Sequence, residues 1–137
     1  MFSTSCKYAI RSTLFLANYS DKDKKIGVKE IAEALQLPKA YLAKILQELT
    51  KRNLVSSVKG RNGGFFLSEQ DRQHTLEDIV EAIDGKGSFS ECILGLAVCS
   101  SESPCPLHTK SKEHREGSQL LFNMNSIDEI SNNLIEE

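Results

Sequence analysis

Residues 28–67 read VKEIAEALQLPKAYLAKILQELTKRNLVSSVKGRNGGFFL, and this stretch decides the fold. Val28, Ile31, Ala32 and Leu35 recur at i, i+3, i+4, i+7, and so do Leu42, Ile45, Leu46 and Leu49. Each set puts one apolar stripe on a helix. Gln36 and Leu37 leave room only for a short turn between them. Pro38 suits the first helical position after that turn, where its missing N–H costs nothing. The period then changes. Leu54 to Val58 and Phe65-Phe66-Leu67 are short and rich in β-formers. They flank Lys59-Gly60-Arg61-Asn62-Gly63-Gly64, whose glycines permit positive φ. The spacing predicts a hairpin with a basic tip.

Working outward, the helical spacing returns in Ile10, Thr13, Leu14 and Ala17, and in Leu76, Ile79, Val80 and Ile83. Thr75 ahead of Glu77 and Asp78, and Ser126 ahead of Asp128 and Glu129, read as capping-box-like helix starts. Gly85 and Gly87 end the helix that Thr75 begins. Helix, helix, short turn, helix, hairpin is the order of a helix-turn-helix with a wing. Leu120, Met124, Ile127, Ile130 and Leu134 follow a 3–4 spacing with a break near Asn125. A late apolar helix of this kind reads as a dimer seam; the alternative is a helix folded back on its own domain. The expected class is mainly α with a small β-hairpin wing: a winged helix-turn-helix plus a long dimerisation helix. The expected division is 1–87 for DNA binding, 88–108 for a cysteine-rich loop, and 106–137 for dimerisation and C-terminal helices.

The chain has 137 residues, 39% hydrophobic and 26% charged, which suits one soluble globular domain. The start, MFSTSCKYAI, lacks the pattern of a secretory signal, and no run reaches the length of a membrane span. A cytoplasmic location is expected, with no membrane partner. The net charge of −2 hides an asymmetry. Residues 1–61 carry +7 and residues 62–137 carry −9. A basic half suits double-stranded DNA, because bound Lys and Arg displace counterions from phosphates; a merely solvated basic face is the alternative. With Leu42, Ile45, Leu46 and Leu49 turned inward, Lys39, Ala40, Ala43, Lys44, Gln47 and Lys51 face outward. Lys39, Lys44, Gln47 and Lys51 are candidates to donate to base edges and phosphates, and Tyr41 either packs or donates to a phosphate. Lys59 and Arg61 at the hairpin tip are candidates for the backbone or a minor groove. No nucleophile–base pair and no phosphate loop is visible, so an enzyme is not expected.

Cys92, Cys99 and Cys105 lie in a stretch without helical period, and His108 stands three residues past Cys105. In a cytosolic protein such residues more often serve metals or redox chemistry than structural disulfides. The gaps of six and five residues lack the close pairs of structural zinc sites and suit a larger iron–sulfur cluster. A thiol sensor using a Cys92–Cys99 or Cys99–Cys105 disulfide, and inert loop thiols, remain open readings. Cys6 stands alone in the first helix and reads as a small packed residue.

Several stretches together resemble the Rrf-two family of winged-helix transcriptional regulators, with its IscR-like and NsrR-like branches. They are Ser3-Thr4 with Lys7-Tyr8-Ala9, Ile31-Ala32 with Tyr41-Leu42, and Asn53 to Val58 leading into Lys59-Gly60. Gly63-Gly64-Phe65 with Leu67, Ile79 to Asp84 and the cysteine triplet complete them. The resemblance implies a homodimer on a palindromic operator. It also implies an iron–sulfur cluster that tunes DNA affinity when lost, oxidised or nitrosylated. Carried onto this chain, Cys92, Cys99 and Cys105 are three ligands, and His108 is the fourth ligand of 2Fe–2S members. Members that can hold a 4Fe–4S cluster use as fourth ligand a carboxylate near the N-terminus of the partner chain, where this sequence has Lys7, so the resemblance favours 2Fe–2S. Two departures stand out: the first cysteine gap is one residue longer than in IscR-like members, and Ala43 replaces an acidic residue, so operator sequences do not carry over. The rival functions are a cluster-free regulator using thiols or zinc, and a small redox carrier, which would leave the basic helix and wing without a role.

Overall fold

The first helix, α1 (Thr4–Tyr19), begins where Ser3 turns its hydroxyl back to accept from the Cys6 backbone N–H at 3.0 Å. That bond satisfies one donor that a helix start leaves unpaired. The structure is a computed structural model and describes residues 2–91, 94, 96 and 102–132. α1 buries Cys6, Ala9, Ser12, Thr13, Leu16 and Ala17. Its stripe therefore centres one position before the one read from sequence, with Ile10 and Leu14 half-buried at the margin. The inward hydroxyls of Ser12 and Thr13 donate to the carbonyls of Tyr8 and Ala9 one turn earlier, so neither is left unsatisfied.

Helix α2 (Val28–Leu35) buries Ile31 and Ala32. It stops at Gln36, which takes a left-handed φ of 57°, while the Leu37 N–H returns to the Ala32 carbonyl at 2.9 Å. The Arg11 guanidinium donates to the Leu35 carbonyl at 3.1 Å and so caps α2 from α1. Helix α3 (Lys39–Lys51) follows at once and buries Leu42, Ile45, Leu46 and Leu49, the four residues of the sequence stripe. Pro38 sits one place earlier than expected. It is the cap, with an extended ψ of 122°, and its carbonyl accepts the Leu42 N–H at 2.9 Å.

Strands β1 (Ser56–Val58) and β2 (Gly64–Phe66) pair antiparallel, with Ser57 opposite Phe65. Leu54 and Val55, read as part of the first strand, instead enter the core just before it. Ile26 pairs with β2 through a separate bridge, exchanging backbone hydrogen bonds with Phe65 at 2.8 and 2.9 Å. Gly64 is required there, because a Cβ would stand 2.7 Å from the Ile26 carbonyl oxygen.

A 3-10 turn (Asp71–Gln73) leads into α4 (Leu76–Asp84), whose Thr75–Asp78 capping box is complete. Helix α5 (His108–Asn123) and the short α6 (Ile127–Asn132) are separated at 124–126, where the break was expected. Helices α1, α2, α3, α4 and α6 enclose one core around Leu16, Ile31, Leu42, Leu46, Ile79 and Ile127. The apolar series expected to form one seam is thus divided. Ile127 is fully buried in its own domain, whereas Leu120 and Met124 of the preceding segment are exposed. Leu134 lies outside the described residues. A second, smaller cluster of Cys6, Val80 and Phe89 joins α1, α4 and the start of the cysteine loop.

Candidate nucleic-acid interface and cysteine loop

Burial of the four-residue apolar stripe of α3 leaves the other face outward. Lys39, Tyr41, Lys44, Gln47 and Lys51 are all exposed on it. Lys59 and Arg61 are exposed on the turn between β1 and β2. That turn is closed by the Gly63 N–H donating to the Gly60 carbonyl at 3.1 Å, with Gly60 at φ +106°. A cleft of ≈ 380 Å³ runs between helix and hairpin, lined by Gln47, Thr50, Lys51, Ser57, Val58, Lys59, Gly64 and Phe65. Three of the seven residues singled out for DNA, namely Gln47, Lys51 and Lys59, open onto this one concavity. Lys39, Lys44 and Arg61 lie outside its lining. Tyr41 packs back on α1: its hydroxyl pairs with that of Ser5, and its ring meets the edge of Tyr8 at 5.7 Å.

Sequence spacing missed the device that holds this surface in place. Ser20 at the end of α1 accepts the Leu67 N–H at 3.1 Å, and Lys25 stands 5.6 Å over the Phe66 ring. Both tie the hairpin to the chain around Ile26. The contacts join residues more than forty positions apart, which no helical or strand period encodes.

The cysteine loop is described at its two ends. Cys92 and Cys99 lie outside the described residues. Cys105 is half-buried, and its carbonyl accepts the backbone N–H of His108 at 3.0 Å. The fourth expected ligand thus opens α5 one turn after the third. At the other end, Arg115 donates to the carbonyl of Glu91 at 2.5 Å. His108 and Arg115 are seven residues apart, so they share a face of α5. Both ends of the loop therefore meet the first two turns of one helix. Among the described residues no group of three His, Cys, Asp or Glu is gathered. Cys6 is fully buried, and burial together with the nearby Asp84 carboxylate pushes its thiol up to about 12. It is a packing residue, as its isolation in sequence suggested.

The family described as Rrf2, iron-dependent transcriptional regulator, matches residues 2–133. A protein of Aquifex aeolicus named as an HTH-type transcriptional regulator is 34% identical over 134 residues, covering 96% of this chain and 92% of that one. The transcriptional regulator NsrR of Geobacillus kaustophilus is 33% identical over 86 residues, 63% of this chain and 58% of its own. IscR of Pectobacterium atrosepticum is 25% identical over 127 residues, 93% and 76% of the two chains. Among solved structures, CymR, the global cysteine regulator of B. subtilis, superposes with a TM-score of 0.77 at 21% identity, over 98% of both chains. Outward basic helix, basic wing and near full-length match agree: the chain belongs to the Rrf2 family of winged-helix, DNA-binding transcriptional regulators.

Proposed function

We propose that this regulator binds a palindromic operator as a homodimer and sets its DNA affinity through an iron–sulfur cluster, 2Fe–2S in type, held by Cys92, Cys99, Cys105 and His108. The observation that carries the DNA half is the shared cleft of Gln47, Lys51 and Lys59 beside an otherwise basic helix face. Lys39, Lys44 and Gln47 address the major groove, Lys51 and Lys59 flank it, and Arg61 at the wing tip reaches the adjoining backbone. Tyr41 holds α3 against α1 and stands exposed beside the basic residues as a further phosphate donor.

The donor set fits the cluster. Three thiolates and one imidazole complete four positions, and the described ends of the loop converge on the start of α5. When bound, the cluster supplies a centre that oxidants or nitric oxide can alter. The loop residues would hold it, and the α5 face that His108 and Arg115 share ties the described ends of the loop to that helix. Release of the loop then shifts a two-state equilibrium of dimer geometry, and a coupling of about 1–3 kcal/mol changes DNA affinity roughly 5–150-fold. The second copy packs on the exposed Leu120, Leu121 and Met124. We place the protein in the cytosol, without catalytic activity.

The deciding experiment is purification without oxygen, followed by visible absorption and assays of iron and acid-labile sulfide. Near-equal iron and sulfide, about two of each per chain, are expected for 2Fe–2S. Replacement of Cys99 by Ala abolishes iron binding and leaves a folded dimer; a full iron complement in C99A removes Cys99 from the ligand set. Colourless protein holding zinc, or no metal after reconstitution, supports a thiol- or zinc-based regulator instead. Failure to bind duplex DNA at low salt supports a redox carrier.

A further inference from the structure

We propose that the entry into α1, Phe2 to Ser5, is a relay that carries the state of the cysteine loop to the recognition helix α3. This rests, at its input end, on the reading of the loop given above. Within four residues this segment holds three separate elements. The Phe2 ring stacks on Phe122 of α5 with centroids 4.9 Å apart and meets Phe89 edge-on at 5.5 Å. Ser3 donates its backbone N–H to Asp84, the last residue of α4, at 3.0 Å, and its hydroxyl to the other oxygen of the same carboxylate. Ser5 pairs with the Tyr41 hydroxyl on α3.

Phe89 is the input. It lies outside any helix or strand and three residues before Cys92, yet it is only 7% exposed and touches both Phe2 and Phe122. Close-packed interiors transmit displacement instead of absorbing it, so a shift of the loop root moves the Phe2 ring. The output contacts, Ser3 with Asp84 and Ser5 with Tyr41, are solvent-exposed hydrogen bonds. Such bonds are individually modest, so the segment is able to exchange them when Phe2 moves. Helix α3 then changes its seat on α1 without any change in its own buried stripe. Phe89 and Tyr41 are positioning residues in this scheme.

The test uses the full chain labelled with fluorotyrosine at its three tyrosines, Tyr8, Tyr19 and Tyr41. In metal-stripped protein, Phe89→Leu shifts the Tyr41 fluorine resonance and leaves Tyr19, at the far end of α1, in place. An unmoved Tyr41 signal in a folded variant overturns the relay, whatever the loop binds. If F89L does not fold, Phe122→Leu is read in the same way. The second arm compares operator affinity of iron-loaded and chelator-stripped protein. Tyr41→Phe, with iron content unchanged, brings the ratio to within about twofold of unity, against the roughly 5–150-fold of a working coupling. An equal loss of affinity in both states makes Tyr41 a plain DNA contact and overturns the relay. A wild-type ratio of unity defeats the cluster reading instead, and the fluorine shift alone then decides the relay.

Discussion

Arg72 donates from Nη1 to the carbonyl oxygen of Ala17 at 2.7 Å, so a 3-10 turn closes the end of a helix 55 residues earlier in the chain. Its Nη2 donates to Ser20 at 2.7 Å, and Asp128 of α6 lies 3.6 Å away. One largely buried guanidinium thus joins α1, the turn and α6. Hydrogen bonds to a charged group contribute about 1.5–3 kcal/mol each, and carbonyls left without a donor add to the loss. Arg72→Met lowers stability by about 2–4 kcal/mol in urea titration. A loss under about 0.5 kcal/mol, the range of ordinary surface changes, contradicts the role.

The wing turn has its own sensitive point. A Cβ on Gly63 would stand 2.0 Å from the Val58 carbonyl oxygen, so the backbone of the hairpin itself must move. Gly63→Ala costs about 1–3 kcal/mol and weakens operator binding. Amide exchange quickens at Phe65 and Ile26, the paired residues beyond the turn, while α4 stays protected. Unchanged exchange at those two amides shows that the hairpin accommodates the methyl group.

Salt dependence separates phosphate contacts from bystanders on α3 and the wing. For each Lys that neutralises a phosphate, the slope of log affinity on log salt falls by about one on replacement. Lys59→Ala lowers affinity for operator and random duplex alike, with that change of slope, whereas Lys44→Ala, in the major groove, lowers affinity for the operator more than for random duplex. A lysine whose removal leaves both slope and affinity intact is outside the contact set.

Cys6 makes a pH prediction. Its thiol is raised from 9.0 to about 12 in the folded state, because burial and the Asp84 carboxylate both oppose the thiolate. The protonated form is the one the fold favours. Its contribution is therefore fully present below about pH 9 and is lost between about 9 and 12, as the unfolded thiol ionises first. Comparing the stability of wild type and Cys6→Ala across that window isolates the effect, since other groups titrate in both. Native Cys6 also resists alkylation at pH 8. Rapid labelling of Cys6 without unfolding is the contrary result.

Leu120, Leu121 and Met124 are each 60–63% exposed at the end of α5, a cost that the second copy of the proposed homodimer would remove. Met124→Arg yields a monomer in sedimentation at micromolar concentration, with helix content unchanged. A dimer that survives M124R together with Leu121→Arg places the seam elsewhere.

The sequence by itself determined the local architecture. Leu42, Ile45, Leu46 and Leu49 define one face of α3 because a helix repeats every 3.6 residues, and burial of that face exposes Lys39, Lys44, Gln47 and Lys51. The hairpin, the Thr75 box and the break before Ile127 were legible for the same reason: turns and caps are chosen by neighbouring residues. Element edges were less legible. Pro38 is one place early, and Leu54 and Val55 go to the core, because tertiary packing decides where a strand begins.

Only the tertiary structure decided which distant residues meet. Phe2, Phe89 and Phe122 have no common period, yet they form one cluster. Ser3 and Asp84 are 81 positions apart. Ile127 belongs by spacing to the series of Leu120 and Met124, but its backbone N–H binds the His74 carbonyl at 2.8 Å and it turns into its own domain. The physical reason is the same in each case. Periodicity and capping act within a few residues, whereas packing and long-range hydrogen bonds depend on how whole elements close on one another.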